Sequence, residues 1–150
     1  MSTDAQQVPT ALDAVRQGEI LADVAALRDS FDAGTTRPLE ARIAQLDALA
    51  RGLRTERPRL LKALELDLGK SRTESLITEL GVVTQEIAHL RKNLRAWLRP
   101  ERFGPGLLLA PSSGQIRREP LGATLIISPW NYPVNLALAP LIGAIAGGNT

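Results

Sequence analysis

From Leu121 to Thr150 the chain contains no Asp, Glu, Lys, Arg or His. An apolar run, Leu121 to Ile127, leads into the turn Ser128-Pro129-Trp130-Asn131-Tyr132-Pro133. A second apolar run follows, and then Gly147-Gly148-Asn149. The first run is rich in β-formers and apolar at consecutive positions. It therefore reads as a buried strand of the kind that lies in a parallel sheet covered on both faces. Val134 to Ala146 reads as the helix after it, with Leu136, Leu138, Leu141, Ile142 and Ile145 as its apolar residues. Pro140 should kink or break that helix, because a mid-helix proline costs about 3 kcal/mol or more. The two glycines and the asparagine are a stop signal. A second parallel strand is expected after such a unit.

The same stretch raises the question of a membrane. Pro129, Asn131, Pro133, Asn135 and Pro140 interrupt it, so no unbroken apolar span of about 18 residues remains. The N-terminal residues Met1 to Val15 have no basic and apolar leader pattern. A cytoplasmic protein with no membrane span is the expectation, and a membrane-surface role for the charge-free stretch is the weaker alternative.

The rest of the chain is ordinary for a soluble domain of 150 residues, with 44% hydrophobic and 23% charged residues. Acidic and basic residues interleave and the formal net charge is +2. That pattern describes solvated helix faces and argues against a nucleic-acid stripe. There are no cysteines and one histidine. Disulfides, thiolate metal sites and thiol nucleophiles are thereby excluded within these residues, and no metal site is expected. His89, inside a helical pattern, reads as a structural, partly exposed residue.

Residues 1–10 are polar and read as a flexible terminus. Residues 11–99 read as a helical lead-in. Leu12, Val15, Leu21, Val24, Leu27 and Phe31 have helix spacing, and Gly34 suits a left-handed stop. Pro38 opens a second helix with the stripe Leu39, Ile43, Leu46, Leu49 and Leu53. Pro58 should force a restart, followed by a short helix that ends at Gly69. Ser71-Arg72-Thr73-Glu74 has the form of a capping box. The helix it opens should be the longest, with Leu80, Val83, Ile87, Leu90, Leu94 and Trp97 on one face. Such a stripe needs a partner.

Seven of the ten prolines lie from Pro100 onward. Residues 100–120 read as an extended arm or hairpin. Its expected strands are Leu107 to Ala110 and Gln115 to Glu119, around the turn Pro111-Ser112-Ser113-Gly114.

The turn at 128–133 is where chemistry is expected. Ligands sit beyond the carboxyl ends of strands, and a helix N-terminus offers free N–H groups. On residue chemistry alone, two readings of Asn131 stand. It caps the helix while Trp130 fills a core gap, or its carboxamide donates to a developing oxyanion without titrating. An amide spent on its own helix cannot serve both purposes. Neither a dinucleotide-type glycine fingerprint nor a phosphate loop is present among these residues.

Glu119-Pro-Leu-Gly122, the run Ala123 to Ile127, Ser128-Pro-Trp-Asn-Tyr-Pro133 and Gly143-Ala-Ile-Ala-Gly-Gly-Asn149 resemble the aldehyde dehydrogenase superfamily. Phe31-Asp-Ala-Gly-Thr-Thr-Arg-Pro38, Arg42-Ile-Ala-Gln-Leu46 and Asp67-Leu-Gly-Lys70 resemble its class 3 and coniferyl-aldehyde-type members. The resemblance runs from about Leu21 to Thr150.

It implies an α/β fold that is aldehyde-dehydrogenase-like and incomplete: N-terminal helices, a short β arm, and the first strand-turn-helix of a Rossmann-like cofactor domain in residues 121–150. It implies NAD(P)-dependent oxidation of an aldehyde to a carboxylic acid, with Asn131 as the oxyanion donor. Ser128, Trp130 and Asn131 would lie along NAD or NADP, and Tyr132 would line the substrate tunnel. The arm would belong to the oligomerisation region of an intact homo-oligomer, such as a dimer. The family's nucleophilic cysteine, its Lys-Pro-Ser-Glu segment, its phosphate loop and its general-base glutamate are absent from this chain. The expectation is a truncated piece, inactive alone. The contrasting expectation is a non-catalytic helical assembly module that docks on a full-length relative.

Overall fold

Three helical elements carry the core, and their packing fixes where the 128–133 turn sits. The computed structural model describes residues 11–104, 106, 108 and 111–150, with side chains from residue 16 onward. The expected flexible terminus and most of the expected strand at Leu107 to Ala110 lie outside the described residues.

Helix α1 spans Ala11–Asp32 and ends at Gly34, whose φ of 72° is the left-handed geometry that favours glycine. Helix α2 spans Leu39–Leu68 without interruption and is the longest among the described residues. The expected restart at Pro58 does not occur, and the expected primacy of the Ser71 helix is corrected with it. Pro58 is exposed, so its ring faces solvent and water can serve the carbonyl one turn back. Gly69 closes the helix with φ 64°.

Ser71 then caps the next element, its hydroxyl accepting from the Glu74 N–H at 3.1 Å. Helix α3, Arg72–Ser75, passes into a widened π turn, Leu76–Gly81, and on into α4, Val82–Trp97. Gly81 belongs to that widening, since a Cβ there would stand 2.6 Å from the Leu76 carbonyl oxygen.

The apolar stripe finds its partner within the chain. Leu80, Val83, Ile87 and Leu94 are buried with Leu46, Leu53 and Leu61 of α2 and with Ile142 and Ala146 of α5, Pro133–Gly147. Burying side chains of this kind contributes about 1.5–3 kcal/mol each. The Ser75 hydroxyl lies within this packing, fully buried and without a hydrogen-bond partner. Ser75→Ala removes a desolvated group and no bond. It should leave the urea midpoint unchanged or raised, within about 0.5 kcal/mol. A loss above about 1 kcal/mol would mean the hydroxyl is bonded after all.

Helix α5 continues through Pro140, so the expected break into two short turns does not occur. Pro140 is exposed, as is Leu136 one turn earlier, so the undonated carbonyl there is open to water. The C-terminal end of α5 is fixed by Arg42. Its Nη1 donates to the Ala146 carbonyl at 3.1 Å, and its Nε and Nη2 donate to the Thr36 and Arg37 carbonyls. Burial holds this guanidinium below its usual pKa. Thr36 Oγ1 donates to the Gly148 carbonyl at 2.7 Å.

Gly148 has φ 86°, and a Cβ there would lie 2.5–2.8 Å from three guanidinium atoms of Arg42. Gly148→Ala should therefore cost about 1–3 kcal/mol by urea unfolding. A neutral result would show that Arg42 moves freely.

The arm is an antiparallel pair of β1, Glu101–Phe103, and β2, Gly114–Ile116. The partner of β2 among the described residues is Glu101–Phe103, and β2 ends at Ile116 rather than Glu119. Phe103 opposes Gly114, and its ring occupies the space that a Cβ on Gly114 would need. That aromatic-on-glycine fit sets the register.

The expected buried strand at Leu121 to Ile127 is extended but unpaired along most of its length. Leu121, Leu125 and Ile127 are 97%, 83% and 86% exposed. A strand is defined by its neighbours, and among the described residues only Thr150 pairs with this segment through its backbone. The Thr150 N–H donates to the Gly122 carbonyl at 3.2 Å, and the Thr124 N–H donates to the Thr150 carbonyl at 2.7 Å. Those two bonds form one rung of a parallel ladder. Asn149 secures the start of the segment, its Oδ1 accepting from the Leu121 and Gly122 N–H groups at 2.8 and 3.1 Å.

Candidate functional site

A helix that begins at Pro133 has a defined set of free donors. Pro133 has no N–H and occupies the first turn, where none is needed. The Leu136 N–H makes the first helical bond, to the Tyr132 carbonyl at 2.9 Å. The Val134 and Asn135 N–H groups remain, and both donate to Glu79 Oε2, at 3.2 and 2.8 Å. The cap of α5 is therefore a carboxylate from the π turn, more than fifty residues upstream. A negative charge is favourable at this end of a helix dipole, as Arg42 is at the other.

Glu79 is fully buried. Its second oxygen accepts from Lys70 Nζ at 2.5 Å. Lys70 is 8% exposed and also donates to the Asn131 carbonyl at 2.8 Å. The ammonium stands 3.8 Å from the centre of the Tyr132 ring, within cation–π range. Asn135 Nδ2 donates to the Thr78 carbonyl at 3.1 Å, tying α5 to the π turn again. One buried ion pair thus holds the backbone of the turn at Asn131 and the start of α5 at Val134 and Asn135.

Tyr132, with φ −135° and ψ 68°, occupies the N-cap position without a side-chain cap bond. The reading in which Asn131 caps the helix is corrected, because no N–H is left for it. Asn131 is exposed, and its carboxamide makes no hydrogen bond to any described residue. Ser128 is half-buried, while Trp130 is 86% exposed and fills no core gap. Ser128, Trp130, Asn131 and Tyr132 share one turn, and Tyr132 alone of the four side chains is engaged with the Lys70–Glu79 pair.

Sequence reasoning singled out the turn and missed the pair that holds it. Lys70 entered only as part of a recognisable tetrapeptide, and Glu79 not at all. A usable signal existed. Glu79 lies beside Leu76, Leu80 and Val83 on an otherwise apolar face, and a carboxylate there needs a partner.

The comparisons with known proteins agree with this architecture. The profile described as the aldehyde dehydrogenase family matches residues 3–150. Aldehyde dehydrogenase family 3 member B1 of Homo sapiens is 48% identical over 123 residues, covering 82% of this chain and 26% of the human protein. Family 3 member H1 of Arabidopsis thaliana is 42% identical over 126 residues, covering 84% of this chain and 26% of the plant protein. Among solved structures, a substrate-bound state of Staphylococcus aureus AldH superimposes with a TM-score of 0.85 at 37% identity, over 87% of this chain and 29% of that one. The NADP-dependent glyceraldehyde-3-phosphate dehydrogenase of Bacillus halodurans C-125, complexed with NADP, gives 0.76 at 29% identity, over 89% and 28%.

The chain belongs to the aldehyde dehydrogenase family. It spans about a quarter of the length of the curated relatives it matches. Its fold is that of the N-terminal part of such an enzyme, and among the described residues no helix is long and apolar enough to cross a membrane.

Proposed function

We propose that this chain contributes the oxyanion donor and a cofactor-facing turn to an NAD(P)-dependent oxidation of aldehydes to carboxylic acids. The supporting observation is the uncommitted, exposed carboxamide of Asn131 beside a helix whose own donors are already taken. A neutral N–H donor held in advance stabilises charge that develops on an aldehyde oxygen under nucleophilic attack. Lys70 and Glu79 hold the turn, and Tyr132 lines the approach to it. Residues 11–99 serve as a lead-in, 100–120 as an arm toward another subunit of a homo-oligomer, and 121–150 as the start of the cofactor domain. The setting is cytoplasmic.

The groups at the turn fit a partial dinucleotide site. Ser128 and Asn131 are neutral hydrogen-bonding residues, Trp130 offers an exposed aromatic face, and the nearby carboxylate of Glu79 is buried and paired. A bound NAD(P)+ would supply the hydride acceptor. Ser128, Trp130 and Asn131 would help hold it.

Covalent catalysis needs an activated nucleophile, and these 150 residues contain no cysteine. The chain alone should therefore form no NAD(P)H from any aldehyde, followed at 340 nm. A chimera in which it replaces the matching quarter of a family 3 enzyme should turn over. Turnover by the chain alone, or a well-folded but dead chimera, would contradict the proposal.

A further inference from the structure

Neither member of the buried pair beneath Asn131 is a donor to the oxyanion, yet the pair is buried at some cost. Two charges are withdrawn from water where an apolar pair would often be as stable or more so. Both carboxylate oxygens of Glu79 accept from Lys70 or from the first N–H groups of α5, and two of the three side-chain interactions of Lys70 are with turn residues.

We propose that Lys70 and Glu79 are positioning residues for the Asn131 carboxamide, and that they act by occupying the donors of α5 to which it would otherwise turn back. Asparagine is among the preferred N-cap residues, and its side chain commonly bonds backbone N–H groups two or three positions on. From Asn131 that range reaches Pro133, which has no N–H, and Val134. Asn135 lies one position further. Glu79 accepts from both Val134 and Asn135. Lys70 neutralises Glu79, so no bare carboxylate faces the place where an oxyanion would form. It also fixes the Asn131 carbonyl at 2.8 Å, which sets the direction of the side chain. This inference rests on the proposed role of Asn131.

The double variant Lys70→Met/Glu79→Leu tests it, because replacing both members of a buried pair by apolar residues tends to preserve stability. In the 150-residue chain, NMR should then show new cross-relaxation between the Asn131 side-chain amide and the Val134 N–H. The unmodified chain should lack it. In the chimera the double variant should lower kcat roughly ten- to a hundredfold with KM within about twofold, since small misplacements of a reacting group have losses of that order. The same change in an Asn131→Ala background should have almost no further effect, because a residue that acts only through Asn131 is silent without it.

A purely structural pair would give equal losses in both backgrounds and no new contact at Asn131. Either result overturns the inference. If Asn131→Ala alone leaves the chimera fully active, the proposed role of Asn131 fails, while the NMR comparison still decides whether the pair controls the carboxamide. If the double variant does not fold, Glu79→Gln takes its place, since it keeps one acceptor for α5 and removes the charge that holds Lys70. It should lower kcat in the chimera and lose that effect in the Asn131→Ala background.

Discussion

Glu79→Ala should lower the unfolding free energy of the chain by about 3–5 kcal/mol, the usual result of breaking a buried ion pair from one side. Three groups lose their partner at once. The Lys70 ammonium stays in a site where it is 8% exposed, and the Val134 and Asn135 N–H groups lose their acceptor. Each unsatisfied buried group costs about 1–3 kcal/mol, and the sum is not additive because Lys70 can swing outward. Domains of this size have about 5–15 kcal/mol in total, so the urea midpoint should fall by a large fraction.

The control is Glu56→Ala. Glu56 pairs with Arg59 at 2.7 Å, but the two side chains are 46% and 85% exposed. Removing an exposed pair changes stability by under about 1 kcal/mol. Equal effects at Glu56 and Glu79 would show that the buried pair does not hold α5.

Asn131→Ala should give the opposite profile. Its carboxamide has no partner among the described residues, so thermal and urea unfolding should shift by less than about 0.5 kcal/mol. In the chimera, kcat/KM for aldehyde oxidation should fall by roughly a hundred- to a thousandfold, the typical loss when one oxyanion donor is removed. Asn131→Asp should be at least as damaging, because it places an acceptor where a donor is required. Steady-state kinetics at saturating NAD(P)+ checks both. A stability loss above about 1 kcal/mol with unchanged kinetics would return Asn131 to the role of a structural cap.

The sequence made the local features legible and concealed the long-range ones. The stops at Gly34 and Gly69 and the Ser71 cap depend on φ angles and on hydroxyl chemistry within a few residues, and they stand where their residues predict. The helix breaks assigned to Pro58 and Pro140 are absent, because a proline on a wet face deprives its helix of one bond that water can replace. The register of the arm depends on one ring over one glycine, Phe103 on Gly114, which no run of β-formers announces. The run Leu121 to Ile127 has the composition of a buried strand, but burial comes from neighbours, and among the described residues Thr150 alone pairs with its backbone through backbone bonds.

The turn itself was readable from its six residues, Asn131 included. That the Asn131 amide leaves α5 uncapped was not, because the donors it would cap are held by Glu79, itself paired with Lys70, 52 and 61 positions upstream by the numbering. A carboxylate on an apolar helix face signals that some partner exists, without saying which end of which helix it meets.

The central question is which side-chain oxygen, that of Glu79 or that of Asn131, accepts the first N–H groups of α5. In the isotopically labelled 150-residue chain, scalar coupling across those hydrogen bonds reads this directly. Couplings should run from the Val134 and Asn135 amide nitrogens to the side-chain carboxyl carbon of Glu79, and none to Asn131. A coupling from either nitrogen to the side-chain carbonyl carbon of Asn131 would contradict the capping of α5 by Glu79, since the carboxamide would then be committed to its own helix.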